Sequence, residues 1–395
     1  MKRLFSHLLF KVFLAIVFGI VFGLYLPESL NRIFTTFNAF FGEFLNFAIP
    51  LIIMGLIMPA IAELGKGAGK LLLLTAGIAY GSTLFSGFMT YLAGSAIFPG
   101  LLETHIHTHA QVADTAKELT PYFSIAIPPV IDVMSALVLA FIVGLGLSFM
   151  EKSSLKMVVK DFQVIIMQLI EKVIVPLLPL FILGIFTGMA YSGKVYSILS
   201  VFLNIVGVIF LFHILLLLLQ YVLTGLFVKR NPLRLLAIMM PAYFTALGTQ
   251  SSAATIPVTL KQSLKNRVSE KIAGFTVPLC ATIHLAGSIM KITACALALM
   301  ILHGMPYDFM LFTGLIFMLA IAMVAAPGVP GGAIMAAIGI LQSMLGFNEE
   351  MIGLMIALYI AMDSFGTACN VTGDGAIALV VDKITRKSRQ EKNHH

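Results

Sequence analysis

The chain has 395 residues, of which 59% are hydrophobic and only 11% charged, and its mean hydropathy is +1.01. A water-soluble domain carries about a quarter of its residues as charges, so this composition excludes an aqueous globular surface. The net charge of +7 invites a nucleic-acid partner, but the basic residues sit in clusters between apolar runs. These are Lys2 and Arg3; Lys66 and Lys70; Lys152, Lys156 and Lys160; Lys229, Arg230 and Arg234; Lys261, Lys265, Arg267 and Lys271; and Lys383, Arg386, Lys387, Arg389 and Lys392. With the spans counted below they fall on one side, which the positive-inside rule makes cytoplasmic, with both termini there.

Apolar runs of roughly 20 residues recur along the chain, long enough to cross a hydrocarbon core as helix. They lack the two-residue alternation of barrel strands, so the expected fold is an α-helical bundle in the cell membrane, with lipid around it. No cleavable signal is expected, because the first run extends past Leu24 without a small-residue cleavage site. Cys280, Cys295 and Cys369 all lie in apolar segments and read as packing residues, not a disulfide framework.

In chain order, spans are expected at 8–27, 35–63, 70–99, 121–150, 158–190 and 196–228, with a polar extracellular loop at 100–120. That loop carries His105, His107 and His109, which read as solvated side chains because no carboxylate or cysteine completes a ligand set. From residue 233 the pattern changes. Segment 233–268 is apolar, is interrupted at Thr249–Thr255, resumes, and has basic residues at both ends, as expected of a hairpin that enters the membrane and returns. The span 271–303 follows, broken at His284-Leu285-Ala286-Gly287-Ser288.

The design then recurs. Segment 308–346 is interrupted at Ala326-Pro327-Gly328-Val329-Pro330-Gly331-Gly332, and a last span, 349–382, holds Asp363–Thr367 and Asn370–Asp374. Hairpin plus broken helix, twice and in opposite orientation, is the signature of an inverted-repeat transporter. The expectation is therefore eight transmembrane helices and two re-entrant helical hairpins. Residues 1–232 hold six spans, 233–386 the core and 387–395 a tail. Unwound backbone at membrane depth needs partners, and a bound ion or solute supplies them.

Asp363 and Asp374 are eleven residues apart, about three turns, so they share a face at different depths. A carboxylate at that depth has a cation as its natural partner; the competing reading is a structural ion pair between Asp363 and Lys291. Thr367 and Asn370 lie on the same face and offer a hydroxyl and an amide. His284 reads either as a proton carrier or as a packing histidine, and Lys291 either as a built-in cation or as a snorkelling side chain.

These residues resemble the dicarboxylate/amino acid:cation symporter family, which includes glutamate transporters and bacterial serine/threonine transporters. The resemblance covers nearly the whole chain. It is carried by Gln250-Ser251-Ser252-Ala253-Ala254-Thr255-Ile256-Pro257, by Pro278–Ser288, by Gly328-Val329-Pro330-Gly331 and by Asp363–Asp374. It implies a homotrimer of elevator type with the second hairpin as gate. Asp363 would hold a substrate amino group and Asn370 its carboxylate, with Thr367 and Ser288 assisting and Gln250, Ser251, Ser252 and the tip Gly328, Val329 and Pro330 closing around it.

The resemblance also implies sodium as coupling ion, with no other cofactor. Asp374 with carbonyls of Cys280, His284 and Asn370 would form one site, and carbonyls of Thr282, Met323, Val324 and Ala326 a second. Acidic-substrate members have arginine where this chain has Gly366, so a second substrate carboxylate would lack its bidentate partner. A further sodium site is expected to be lost, because His284 and Ala286 replace its Asn and Asp. The expectation is a cation-coupled symporter of a small neutral or zwitterionic amino acid. The alternatives are a proton-coupled carrier of an amine-free carboxylate with Lys291 as its partner, a channel, and an intramembrane hydrolase using Ser251 or Ser252 with His284 and Asp363.

Overall fold

The computed structural model describes residues 8–64, 70–115, 119–150, 153–326 and 331–392, and among these residues the regular structure is helical throughout, without a strand. The N-terminal part comprises α1 (Leu8–Tyr25), α2 (Glu28–Leu64), α3 (Lys70–Thr115), α4 (Val133–Ser148), α5 (Ser154–Leu169), α6 (Val175–Tyr191) and α7 (Val195–Val228). A single π-helical segment, Ile170–Ile174, joins α5 to α6. The C-terminal part comprises α8 (Pro232–Thr249), α9 (Ser252–Lys265), α10 (Glu270–Ile283), α11 (Ala286–Leu302), α12 (Phe309–Ala325), α13 (Gly332–Leu345), α14 (Glu349–Ala361) and α15 (Asp363–Lys392).

Six helical segments among the described residues are long and apolar enough to cross a membrane, and the bent pair α14–α15 makes a seventh. The chain is a multi-pass membrane protein. Two expectations from the sequence are corrected. Residues 121–150 do not form one span: the helix starts only at Val133, and most of 119–132 is irregular. Pro128 and Pro129 explain this, since proline lacks a donor N–H and drives the residue before it out of the helical region. Conversely, the loop expected at 100–120 is helical to Thr115: α3 continues through Pro99 and Gly100, and no further proline or glycine falls between Leu101 and Thr115. The histidine side chains of that stretch lie outside the described residues.

Every residue of α11 is buried. A helix apolar and buried all round is a core element, and α3, α7, α14 and α15 pack around it. The outward faces of α1, α4 and α7 expose large apolar side chains such as Phe13, Ile142, Leu203 and Leu226, which suits lipid. The three cysteines are free and buried.

Close helix contact is set by small residues. Gly19 and Gly23 put α1 directly on α6: a Cβ at Gly23 would stand 2.4 Å from the Thr187 carbonyl oxygen and one at Gly19 2.6 Å from that of Leu183. Small residues four apart are the usual device for close approach in lipid. Gly23→Leu is expected to destabilise the protein by about 1–3 kcal/mol, read as a lower thermal-unfolding midpoint in detergent. Gly77→Leu, where a Cβ meets nothing within 4 Å, serves as the control and should leave the midpoint nearly unchanged.

Candidate functional site

The interruptions expected in the C-terminal half fall between described helices, with one exception. α8 and α9 pack against each other and are separated only by Gln250 and Ser251. Gln250 is left-handed at φ +54°, and the Ser251 hydroxyl accepts a hydrogen bond from the Ala254 N–H at 3.2 Å, capping α9. The α10–α11 break is His284 and Leu285. Between α12 and α13, Gly331 has φ +77°, a conformation open to glycine at no steric cost. Gly328, Val329 and Pro330 lie outside the described residues.

The last break differs from expectation in place. The chain bends by 60° between α14 and α15, at Met362, whereas Asn370–Asp374 is continuous helix. Asp363 therefore opens α15 instead of lying inside an unwound stretch.

These breaks meet at one small cavity of about 30 Å³, lined by Gln250, Ser252, Thr282, Ser288, Ala326, Tyr359, Asp363, Thr367 and Asn370 among others. Such a space holds about one or two waters. Six of the residues assigned to substrate from sequence thus converge; Ser251 does not, its hydroxyl being used as a cap. The Asn370 side chain is fixed at both ends, accepting from the Gly287 N–H at 2.7 Å and donating to Ser288 Oγ at 3.2 Å. Tyr359 also donates to Ser288 Oγ, at 3.1 Å. Gln250 Nε2 donates to Ser364 Oγ at 2.7 Å, tying the first tip to α15.

Asp363 is doubly held. Its Oδ1 accepts from Lys291 Nζ at 2.9 Å and its Oδ2 from the Gly331 N–H at 2.9 Å. Lys291 is 0% exposed, so it does not snorkel, and its ammonium lies 3.6 Å from the centre of the Tyr359 ring, a cation–π contact. The ion pair weighed against a functional Asp363 is therefore present. Removing one partner of a buried pair typically costs about 3–5 kcal/mol, because it leaves an uncompensated charge.

Position 366 is also sharpened. A Cβ on Gly366 would stand 2.5 Å from Lys291 Cε and 2.7 Å from Nζ. Gly366 offers no group of its own, but a cation supplied by α11 fills the space its side chain would enter.

A second polar centre surrounds Asp374. Its Oδ1 faces His284 Nδ1 at 2.9 Å; His284 Nε2 faces Ser82 Oγ at 3.1 Å; and Gln220 Nε2 donates to Ser82 Oγ at 3.0 Å. Gly373 makes room for this chain, since a Cβ there would meet His284 Cε1 at 2.7 Å and Gln220 Oε1 at 2.9 Å. His284 is thus hydrogen-bonded on both ring nitrogens. Of the expected sodium ligands, the Cys280 carbonyl accepts the His284 N–H at 2.9 Å and that of Met323 accepts the Ala326 N–H at 3.2 Å. Thr282 and Ala326 both line the cavity, and Val324 is partly buried just before it.

The hydrolase alternative has no geometry: His284 is bonded to Ser82 and Asp374, not to Ser251, Ser252 or Asp363. Ser82, His284 and Asp374 do follow the order of a nucleophile triad. Ser82, however, is inside α3, where its backbone N–H serves the helix and cannot stabilise an oxyanion. Sequence reasoning missed Ser82, Gln220 and Tyr359. Gln220, a lone amide after Leu215-Leu216-Leu217-Leu218-Leu219, was the one signal available, since a polar group in an apolar span needs a partner.

The chain matches the sodium:dicarboxylate symporter family over residues 8–384. It is similar to the serine/threonine transporter SstT of Acinetobacter baumannii, 28% identical over 96% of this chain and 97% of that protein. Over a shorter region it is similar to excitatory amino acid transporter 5 of Mus musculus, at 31% identity over 41% of this chain and 29% of that one. Excitatory amino acid transporter 3 of Oryctolagus cuniculus gives 32% over 42% and 31%. By name these relatives are transporters, not enzymes. With the family matched along nearly its whole length, the chain belongs to the sodium:dicarboxylate symporter family.

Proposed function

We propose that the protein is a secondary active symporter that couples cation entry to uptake of a small neutral or zwitterionic amino acid. The observation that carries this reading is the charge balance of the cavity. Asp363 contributes one negative charge and Lys291, paired with it at 2.9 Å, one positive charge, so the site is neutral. A zwitterion of zero net charge suits it, whereas a dicarboxylate would leave a second buried carboxylate without a cation. The serine/threonine relative, similar over its full length, supports a polar neutral amino acid.

In this reading Asp363 takes the ammonium, and Asn370, Ser288, Thr367 and the first tip take the carboxylate and any hydroxyl. Sodium is cargo here, held by carbonyls of Thr282, Met323, Val324 and Ala326, with Asp374 and the carbonyls of Cys280, His284 and Asn370 as the other candidate set. The broader arrangement we propose is a homotrimer with cytoplasmic termini. Residues 1–232 mostly form its scaffold, and 233–386 move as the transport domain. The α12–α13 hairpin acts as the gate, held shut by the bond from Gly331 to Asp363.

One observation favours a second reading. Because Lys291 already occupies Asp363, the solute could be a carboxylate without an amino group, moved with protons. Proteoliposomes decide between them. Labelled serine and its 2-hydroxy analogue glycerate are offered under a sodium gradient and, separately, under a pH gradient without sodium. Sodium-driven serine uptake is expected; pH-driven glycerate uptake alone would replace the first reading with the second.

Two variants test the residue roles. Asp363→Asn is expected to lower uptake at least 100-fold, and robust transport by it would remove Asp363 from the binding site. Gly366→Arg alone is expected not to admit aspartate, because Lys291 fills the entry of the new side chain. Gly366→Arg combined with Lys291→Ala is expected to transport aspartate measurably, as read by competition against labelled serine and by direct uptake.

A further inference from the structure

A symporter that accumulates solute must reorient its site twice per cycle, once loaded and once empty. Asp363 is buried, only 5% exposed, and belongs to the site whether it is loaded or empty. A bare carboxylate there is strongly unfavourable at membrane depth. In the loaded carrier the solute's ammonium neutralises it; the empty carrier needs another cation.

We propose that Lys291 is that cation: a tethered counter-ion whose ammonium takes the solute's place on Asp363 when the site is empty. This rests on the reading above that Asp363 receives the solute's ammonium. Three features carry it. Nζ lies 2.9 Å from one Asp363 oxygen while the Gly331 N–H, at the start of the α13 arm, lies 2.9 Å from the other. The counter-ion and the start of the α13 arm thus meet on one carboxylate.

The lysine also has a second partner in the same position. Its ammonium is 3.6 Å from the centre of the Tyr359 ring, a face that can keep hold of the charge when a solute displaces it from Asp363. Finally, position 366 is built for the lysine. Any side chain there would collide with Cε and Nζ, and with the ammonium docked the cavity, at about 30 Å³, is too small for an amino acid. Lysine on Asp363 and solute in the site exclude each other. Lys291 is a positioning residue for the return step, not a contact that holds the solute.

The test separates net uptake, in which the carrier returns empty, from exchange, in which solute is present on both sides and it never does. Labelled serine is followed in proteoliposomes of the full-length protein under both conditions. Lys291→Met is expected to reduce net uptake at least tenfold more than exchange. Gly366→Ala keeps every charge but pushes the ammonium off Asp363, and should show the same split, smaller, even where Lys291→Met fails to fold. Loss of both activities in equal proportion in Gly366→Ala, or retention of both, overturns the proposal while leaving the binding reading intact. If the wild type moves glycerate but not serine, the binding reading fails and the proposal with it.

Discussion

Lys291 and Asp363 come from different helices and meet in the interior of a bundle whose outside is apolar. Burying either charge alone costs several kcal/mol even after relaxation, and only close geometry with further hydrogen bonds offsets this. The surrounding residues supply that geometry. The bend at Met362 starts α15 at Asp363, the Gly331 N–H occupies the second carboxylate oxygen, and the Tyr359 ring covers the ammonium. Gly287 and Gly366 let α11 and α15 come close enough for the pair to form, since a Cβ on Gly287 would stand 2.6 Å from the Gly366 carbonyl oxygen.

The second polar centre repeats the arrangement between α15 and the α10–α11 break. Asp374 pairs with His284 as Asp363 pairs with Lys291. The earlier acid takes the later base and the later acid the earlier base, which is the pattern of two antiparallel segments. Asp363 and Asp374 of α15 therefore each face a base from the α10–α11 segment of the chain, forming two rungs. The rung near the cavity ties α11 and the start of α13 to α15, and the other draws in α3 and α7 through Ser82 and Gln220. The Lys291 rung thus needs the fully buried α11 in register, so the packing of α11 and this ion pair are one constraint.

Much of this was legible in the sequence, for a physical reason. Apolar runs, and the glycines, prolines and polar clusters that interrupt them, are local signals, and Gln250, His284, Gly331 and Asp363 all proved to lie at or beside a break. What was not legible depends on contacts between distant segments. The i, i+7 and i, i+11 spacings put His284 with Lys291 and Asp363 with Asp374 on shared faces, but they do not say which acid meets which base. Ser82 and Tyr359 have no pattern at all until their helices pack. The fourth span failed for the opposite reason: a long apolar run outweighed Pro128 and Pro129, whose local geometry wins in the structure.

The cation beside position 366 changes the argument about cargo from absence to competition. An arginine on α15 would present a planar fork able to grip a second carboxylate with two parallel bonds. Lysine is a compact point charge on a flexible stem, and here that charge is already committed to Asp363. In the proposed carrier it leaves Asp363 only when another cation replaces it, so ammonium and carboxylate recognition are linked: a solute bringing its own ammonium would free Lys291, whereas one without it would use Lys291 where it stands. The choice between a zwitterion and a simple carboxylate therefore reduces to which group holds Asp363 in the loaded carrier.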